Sequence, residues 1–212
     1  MLLSSLFPDL VLMVPGCPEP TMERALREAA RQFCRDTYVV TEYTDPTDTV
    51  AGEQVVELTG LLDSSLEVVA VLETVVDGAV VPPVPQALMR NASRAYAAAA
   101  PGAPRATYGL SERELLLWPT PDAVYTVQFL VATAPTAAAT RIADDLGGRW
   151  KYALIGKAAS ILAIQPNQAY SSSGVAAHGE LQYRSEVGKA RVELNRSFGR
   201  GTRVSTHAVA WP

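Results

Sequence analysis

The spacing of apolar residues changes twice along the chain, and no other feature of the sequence constrains the fold as strongly. Apolar residues recur every three to four positions over 19–36, 144–165 and about 175–198, which predicts helices that each bury one stripe. Between the first and second of these segments, from 38 to about 133, the period falls to two, as in half-buried strands. The sequence therefore predicts one helix, a β module and then two helices.

These elements predict an α+β fold. No helix of this kind can bury its stripe alone, so we expect a three-helix bundle, one N-terminal and two C-terminal helices, with the β module inserted after the first helix. Short strands and frequent turn residues favour a small β-sandwich or barrel for that module. The predicted divisions are an N-terminal arm with the first helix (1–37), the β module (38–133), two helices (134–198) and an extended C-terminal tail (199–212).

The predicted helices differ in how their charges are arranged. The first has the apolar stripe Met22, Leu26, Ala29, Phe33 and Thr37. Its other face has four arginines: Arg24, Arg27, Arg31 and Arg35. Glutamates one turn away balance much of this charge, so we interpret the face as solvated rather than as a nucleic-acid stripe. The last helix has the stripe Ala176, Tyr183, Val187, Ala190, Leu194 and Phe198.

Seven strands, one hairpin and one short helix are predicted within the β module. The strands are Tyr38–Thr44, Gln54–Leu58, Leu66–Thr74, Ala79–Val81, Ala106–Tyr108, Glu114–Trp118 and Val124–Ala132. Asp77-Gly78 supplies the two positive-φ residues of a type I′ turn, which predicts a hairpin at that point. The short helix is expected from Gln86 to about Ala99, between flanking prolines.

Composition and motifs argue against an enzyme. A hydrophobic content of 48% with 19% charged residues excludes wholesale disorder, and no apolar run reaches the length of a membrane span. Two cysteines and two histidines are too few for a metal centre or a typical triad, and no phosphate-binding Gly-rich loop is present. Ser173 beside His178 suggests a hydrolase only weakly, because capping of the next helix explains the serines better. We predict no catalytic, cofactor-binding or metal-binding residue.

The first residues imitate a targeting signal. Val14-Pro15-Gly16-Cys17 is similar to a lipoprotein cleavage box. However, no Lys or Arg precedes Arg24, and Pro8 and Asp9 interrupt the apolar stretch that a signal requires. We therefore expect a docked N-terminal arm, in which Leu2, Leu3, Leu6 and Phe7 make the contacts, and a cytoplasmic chain with reduced cysteines. A lipoprotein anchored through Cys17 is the alternative.

Charge is distributed unevenly between the two ends of the chain. Residues 1–140 contain 8 Lys and Arg against 17 Asp and Glu, a net charge of −9. Residues 141–212 contain 10 against 5, a net charge of +5. Such asymmetry suggests that two surfaces meet different partners, or that one end meets the other in a neighbouring copy. Scattered solvated charge is the alternative interpretation.

Three segments in this order resemble the head-to-tail adaptor proteins of tailed bacteriophages, also described as head completion or tail tubular proteins. The first is Pro15-Gly16-Cys17-Pro18 leading into the helix that ends in Phe33-Cys34. The second is the stretch 104–121, which contains Trp118-Pro119-Thr120-Pro121, and the third is 150–159, in the second predicted helix. Together with the order of elements, the resemblance extends over nearly the whole chain.

The resemblance implies a ring, usually of twelve copies, mounted under the portal protein in the virion neck after assembly in the host cytoplasm. Double-stranded DNA would pass through the lumen without sequence readout, and tail or nozzle proteins would dock below. The C-terminal tail would reach into the portal, with Arg200, Arg203 and Trp211 as candidate anchors, since Arg and Trp are enriched at interface hot spots. Arg184, Lys189 and Arg196 are candidate channel-lining residues. A stopper or tail-terminator ring further down the neck is the alternative place.

Overall fold

The computed structural model describes residues 1–58, 60–84, 100–109 and 114–198. It is 41% helical and 25% strand, which confirms a mixed α and β protein. The chain divides into two compact units. Unit 1 joins Met1–Ala29 to the segment that begins at Asp144, and unit 2 is Ala30–Ala143. The short helix predicted over 86–99 and the tail predicted over 199–212 lie outside the described residues.

Unit 1 begins with helical turns in the segment expected to be a docked arm, for which no helix was predicted. A 3-10 turn over Leu3–Leu6 leads directly into helix α1, Phe7–Met13. Leu3 and Leu6 are buried as expected, whereas Leu2 is exposed and Phe7 is half-buried. Pro8 does not interrupt the helix because it occupies the first turn, where no intrahelical N–H bond is lost.

Helix α2, Glu19–Thr37, agrees with the predicted first helix. Its first part, through Ala29, belongs to unit 1, and the part from Ala30 onward belongs to unit 2. The predicted stripe is confirmed, since all five of its residues are buried. On the other face, Arg27 donates to Glu23 one turn earlier at 2.7 Å.

Up to residue 198, three helices follow in the second segment of unit 1. They are α3, Asp144–Arg149, α4, Lys151–Ala163, and α5, Ser173–Phe198. The continuous helix predicted over 144–165 is therefore wrong, because the backbone leaves helical geometry at Trp150. Lys151, just after this break, forms an ion pair with Asp9 of α1 at 2.7 Å. At the start of α5, the Ser172 hydroxyl accepts a hydrogen bond from the Val175 N–H, which is the expected serine cap.

Helices α4 and α5 cross where Gly156 of α4 faces Gly179 of α5. A Cβ atom on Gly156 would lie 2.9 Å from the backbone oxygen of Gly179, and a Cβ on Gly179 would overlap the backbone oxygen of Gly156. Only glycine permits the two backbones to approach this closely. The contact fixes the side of α5 that faces α4, where Ala176, Tyr183 and Ala190 are buried.

The described residues of unit 2 form eight strands in two antiparallel sheets. The strands are β1 Thr41–Tyr43, β2 Thr47–Asp48, β3 Val55–Glu57, β4 Leu66–Val76, β5 Ala79–Val81, β6 Ala106–Gly109, β7 Glu114–Trp118 and β8 Thr126–Pro135. Sheet 1 has the order β1-β8-β4-β5, with β2 also paired to β8, and sheet 2 has the order β3-β7-β6. Within the described strands no barrel closes, so the predicted barrel alternative is wrong. Strand β2 was not predicted from the sequence.

The two sheets share one apolar core. Leu115 and Leu117 of β7 pack with Val127, Phe129 and Val131 of β8. Asp77 and Gly78 have φ angles of 47° and 80° and join β4 to β5, which confirms the predicted hairpin. The hairpin lies at the end of sheet 1 where β2 also pairs with β8.

Candidate functional site

The face of α5 opposite its buried side is exposed and lacks acidic residues. It consists of Ala177, Leu181, Ser185, Gly188 and Val192, and we call it the outer face of α5. Leu181 and Val192 are 66% and 52% exposed although both are large and apolar. They are eleven residues, or about three turns, apart, so they lie on one line along the helix. Between them Ser185 and Gly188 form a shallow saddle of small residues.

Basic residues border both sides of the outer face. Arg184 and Arg191 follow one side, and His178 and Lys189 follow the other. The three glutamates of α5 lie nearer its buried side, and each forms at least one ion pair. The pairs are Glu180 with Lys157 and Arg184, Glu186 with Lys189, and Glu193 with Arg149. The outward surface of the helix therefore combines an apolar centre with positive borders.

The predicted channel-lining residues fall on two different sides of α5. Lys189 and Arg196 are seven residues apart in the helix and so differ by about 20° around its axis. Arg184 lies about 140° from Lys189 and shares its side with Arg191. Arg184 donates to Glu180 at 3.1 Å, and Lys189 donates to Glu186 at 2.5 Å. The backbone thus groups Lys189 with Arg196 and separates them from Arg184.

A partly buried charge network joins α4 to α5 beside the glycine crossing. The Lys157 ammonium donates to Glu180 Oε2 at 2.9 Å and lies 4.9 Å from the centre of the Tyr183 ring. The Lys157 side chain is only 14% exposed. The hydrogen bond from Lys157 is the largest of the effects that lower the pKa of Glu180 below its ordinary value, and Arg184 adds to it. The ionised form of Glu180 is therefore stabilised by folding.

This network predicts an acid-dependent contribution to stability. Because the pKa of Glu180 is lowered in the folded state, its contribution is present above the ordinary pKa and is lost as pH falls through the folded-state value. Glu180→Gln should reduce the free energy of unfolding by about 1 kcal/mol at pH 7. The difference from wild type should shrink toward pH 3 in urea denaturation. Glu186→Gln, whose partner Lys189 is 64% exposed, is the control, with an expected loss below about 0.5 kcal/mol. A Glu180→Gln deficit that is equal at both pH values would contradict the assignment.

One end of sheet 1 in unit 2 collects three exposed carboxylates. The Thr126 N–H donates to Asp77, and the Thr126 hydroxyl donates to Asp48, both at 2.9 Å. Nearby, the Tyr125 hydroxyl donates to Asp122 at 2.6 Å, which raises the pKa of Tyr125. Within the described ranges none of these carboxylates forms an ion pair.

Two exposed valines accompany these carboxylates. Asp48 lies opposite Thr126 in the β2–β8 register, and extending this register by two residues places Val50 opposite Val124. The Thr49 N–H donates to the Tyr125 carbonyl at 2.9 Å, which supports the extension. Val50 is 56% exposed and Val124 is 65% exposed. We call this surface, made of the two valines with Asp48, Asp77 and Asp122, the Thr126 tip.

The residues considered for a catalytic role are not brought together. Ser173 begins α5 and His178 lies five residues later, about 140° around the helix. In the part of the chain that the structure describes, no group of three or more His, Cys, Asp or Glu could hold a metal ion. Likewise, no described helix has the length and apolarity needed to cross a membrane.

Both cysteines are buried, and burial raises the pKa of each thiol. Burial, with a smaller contribution from nearby Glu67, raises the pKa of Cys34 to about 12. Burial also raises the pKa of Cys17, although a hydrogen bond with Tyr170 opposes the shift. Neither environment activates a thiol, and the buried Cys17 side chain is unlike an exposed lipid attachment point.

A family model described as SU10 adaptor protein matches residues 10–205, which is most of the chain. No curated protein matches the sequence. The family match identifies the chain as a member of the class of phage head-tail adaptors. Within this class, the chain belongs to the SU10 adaptor protein family. The resemblance noted from the sequence is confirmed, and membership implies a phage structural protein of the virion that interacts with portal or tail proteins.

Proposed function

We propose that the protein forms a ring in the neck of a tailed phage, where it joins the portal to the tail and lets double-stranded DNA pass through its lumen. The observation that carries the proposal is the family match over residues 10–205. Twelve copies are the number expected from the family. The protein acts as a structural part without a catalytic step or cofactor, and it assembles in the host cytoplasm.

We propose that α2, α4 and α5 form the three-helix bundle predicted from the sequence. In this arrangement the four divisions are 1–37, 38–133, 134–198 and 199–212. The close crossing of α4 and α5 supports the two C-terminal helices as the rigid part of such a bundle. The β module, which is inserted after α2, is then available for the tail side or for a neighbouring copy.

The lumen is assigned to the side of α5 that contains Lys189 and Arg196. Arg184, the third residue predicted for this role, is on the other side of the outer face and is left out of the proposal. The pairing of Lys189 with Glu186 supports a weakly charged wall. Weak attraction suits a channel, because tight phosphate binding would hinder the sliding of DNA.

The tail after residue 198 is assigned to the portal contact. Arg200, Arg203 and Trp211 are the proposed anchors, because Trp and Arg side chains contribute most strongly to buried protein interfaces. This assignment follows from the family resemblance and from the residue types in the tail.

Assembly on purified portal particles tests the proposed function. We expect a protein that is monomeric or weakly associated alone, by light scattering, and that forms rings on the portal in electron micrographs. Chemical cross-linking should join it directly to the portal protein. If no rings form under any condition tested, the proposal is wrong. If cross-links form only to the tail-tube protein, the ring lies further down the neck as a stopper.

A further inference from the structure

The outer face of α5 has the composition of a protein contact rather than of a DNA contact. Leu181 and Val192 expose large apolar surfaces that gain nothing from phosphates, whereas burial against another protein would remove them from water. They lie about 16 Å apart along the helix axis, and the small residues Ser185 and Gly188 leave space between them. A narrow apolar projection with negative borders would fill this saddle.

The Thr126 tip has those properties. Val50 and Val124 lie just beyond β2 and β8, and the extended β2–β8 register places them opposite each other, so together they offer one small exposed apolar surface. Asp48 and Asp77 accept hydrogen bonds from Thr126, and Asp122 accepts one from Tyr125, so all three lie near this surface. The outer face of α5 has along one side Arg184, which is 73% exposed although it pairs with Glu180, and Arg191. The two surfaces therefore match in polarity at the centre and are opposite in charge at the border.

We propose that the Thr126 tip of one copy binds the outer face of α5 in the neighbouring copy, along the side of Arg184 and Arg191. The inference rests on the proposed ring, and it names the surfaces by which the ring closes. A contact between two different surfaces of identical chains is heterologous, which is what a ring requires. Lys189 and Arg196 remain on the opposite side of α5 and stay available to the lumen.

Cross-linking between two single-cysteine variants tests the contact. Val124→Cys chains are mixed with affinity-tagged Leu181→Cys chains, assembled on portal particles and treated with a short bis-maleimide. The native cysteines are buried, so the added thiols react selectively. We expect a dimer that joins one tagged and one untagged chain. Val124→Cys mixed with Leu12→Cys, at a residue that is 82% exposed in α1, is the control and should give at least tenfold less dimer.

A blocking variant gives an independent measure of the same contact. A Cβ atom on Gly188 has nothing within 4 Å, so Gly188→Glu should leave the fold intact while placing a bulky negative charge in the saddle. We expect this variant to reduce the cross-linked dimer by roughly tenfold or more, because like charges would then face each other.

The possible outcomes separate the two proposals. If rings form on the portal but the Val124–Leu181 dimer does not exceed the control, the inference is wrong and the proposed function stands. If Leu181→Cys links to the portal chain instead, the portal occupies the outer face and the inference is again overturned. If the wild-type protein forms no ring at all, the proposed function fails first.

Discussion

Replacing Gly179 with alanine is expected to destabilise the protein by about 2 kcal/mol, although alanine is the better helix former by about 1 kcal/mol. The added Cβ atom would overlap the backbone oxygen of Gly156 and lie 3.1 Å from the backbone nitrogen of Ser160. Both neighbours are backbone atoms, which cannot rotate aside as the end of a side chain can. Helices α4 and α5 must therefore separate at the crossing, and the packing around Tyr183 and Ala190 would loosen with them.

Gly188→Ala is the matched control for this prediction. Gly188 lies in the same helix, but a Cβ atom there has nothing within 4 Å. This substitution should stabilise the protein by about 0.5–1 kcal/mol through helix propensity alone. Urea denaturation followed by far-ultraviolet circular dichroism measures both changes. Equal effects of the two substitutions would show that the crossing does not depend on the absence of a side chain at Gly179.

The helical turns at the N-terminus could have been predicted from the sequence. Leu3, Leu6, Leu10 and Val14 recur at spacings of three, four and four, and all are buried in the structure. These spacings are typical of a helical stripe, but the segment was described only as a docked arm, and Pro8 and Asp9 were used only as evidence against a targeting signal. Proline in the first turn, followed by an acidic residue, is a start signal for a helix. The same two residues therefore favoured a helix at this point.

Other features could not be predicted in full from local sequence patterns, because they depend on tertiary contacts. The break at Trp150 follows Gly147 and Gly148, whose low helix propensity predicted a weak point or kink here but not the residue at which the helix ends. Strand β2 has only two residues and exists through its pairing with β8. The approach of Gly156 to Gly179 joins two helices across a turn, and neither glycine marks a helix end. Local periodicity identified most elements, whereas the long-range contacts decided their limits.

The structure shows where some of the unevenly distributed charges lie on each unit. The carboxylates of the Thr126 tip, Asp48, Asp77 and Asp122, all belong to the acidic first 140 residues. Arg184 and Arg191 beside the outer face of α5 belong to the basic remainder. A contact between one end and the other in a neighbouring copy was one of the three interpretations that the charges left open. The apolar centre of each surface emerged only from the exposure of its side chains.

Removing three side chains from the tail is expected to abolish stable binding of the ring to the portal. The variant replaces Arg200, Arg203 and Trp211 with alanine. Truncation of a hot-spot residue costs at least about 2 kcal/mol, which corresponds to roughly a thirtyfold loss of affinity. Every copy in the ring carries the same change, so the loss is repeated at each contact and the benefit of multivalent binding disappears. Co-sedimentation with portal particles measures the bound fraction.

The control for the tail variant removes polar side chains from the same segment. Thr202, Ser205 and Thr206 are replaced with alanine, which keeps the proposed anchors and the length of the tail. This control should bind the portal within about twofold of wild type, since truncations outside hot spots cost little. Both variants should unfold at the wild-type urea midpoint, because the anchors are assigned to a partner and not to the fold. Full portal binding by the triple variant would show that the ring is held by another surface, and the tail would then lose its assigned role while the ring itself could still form.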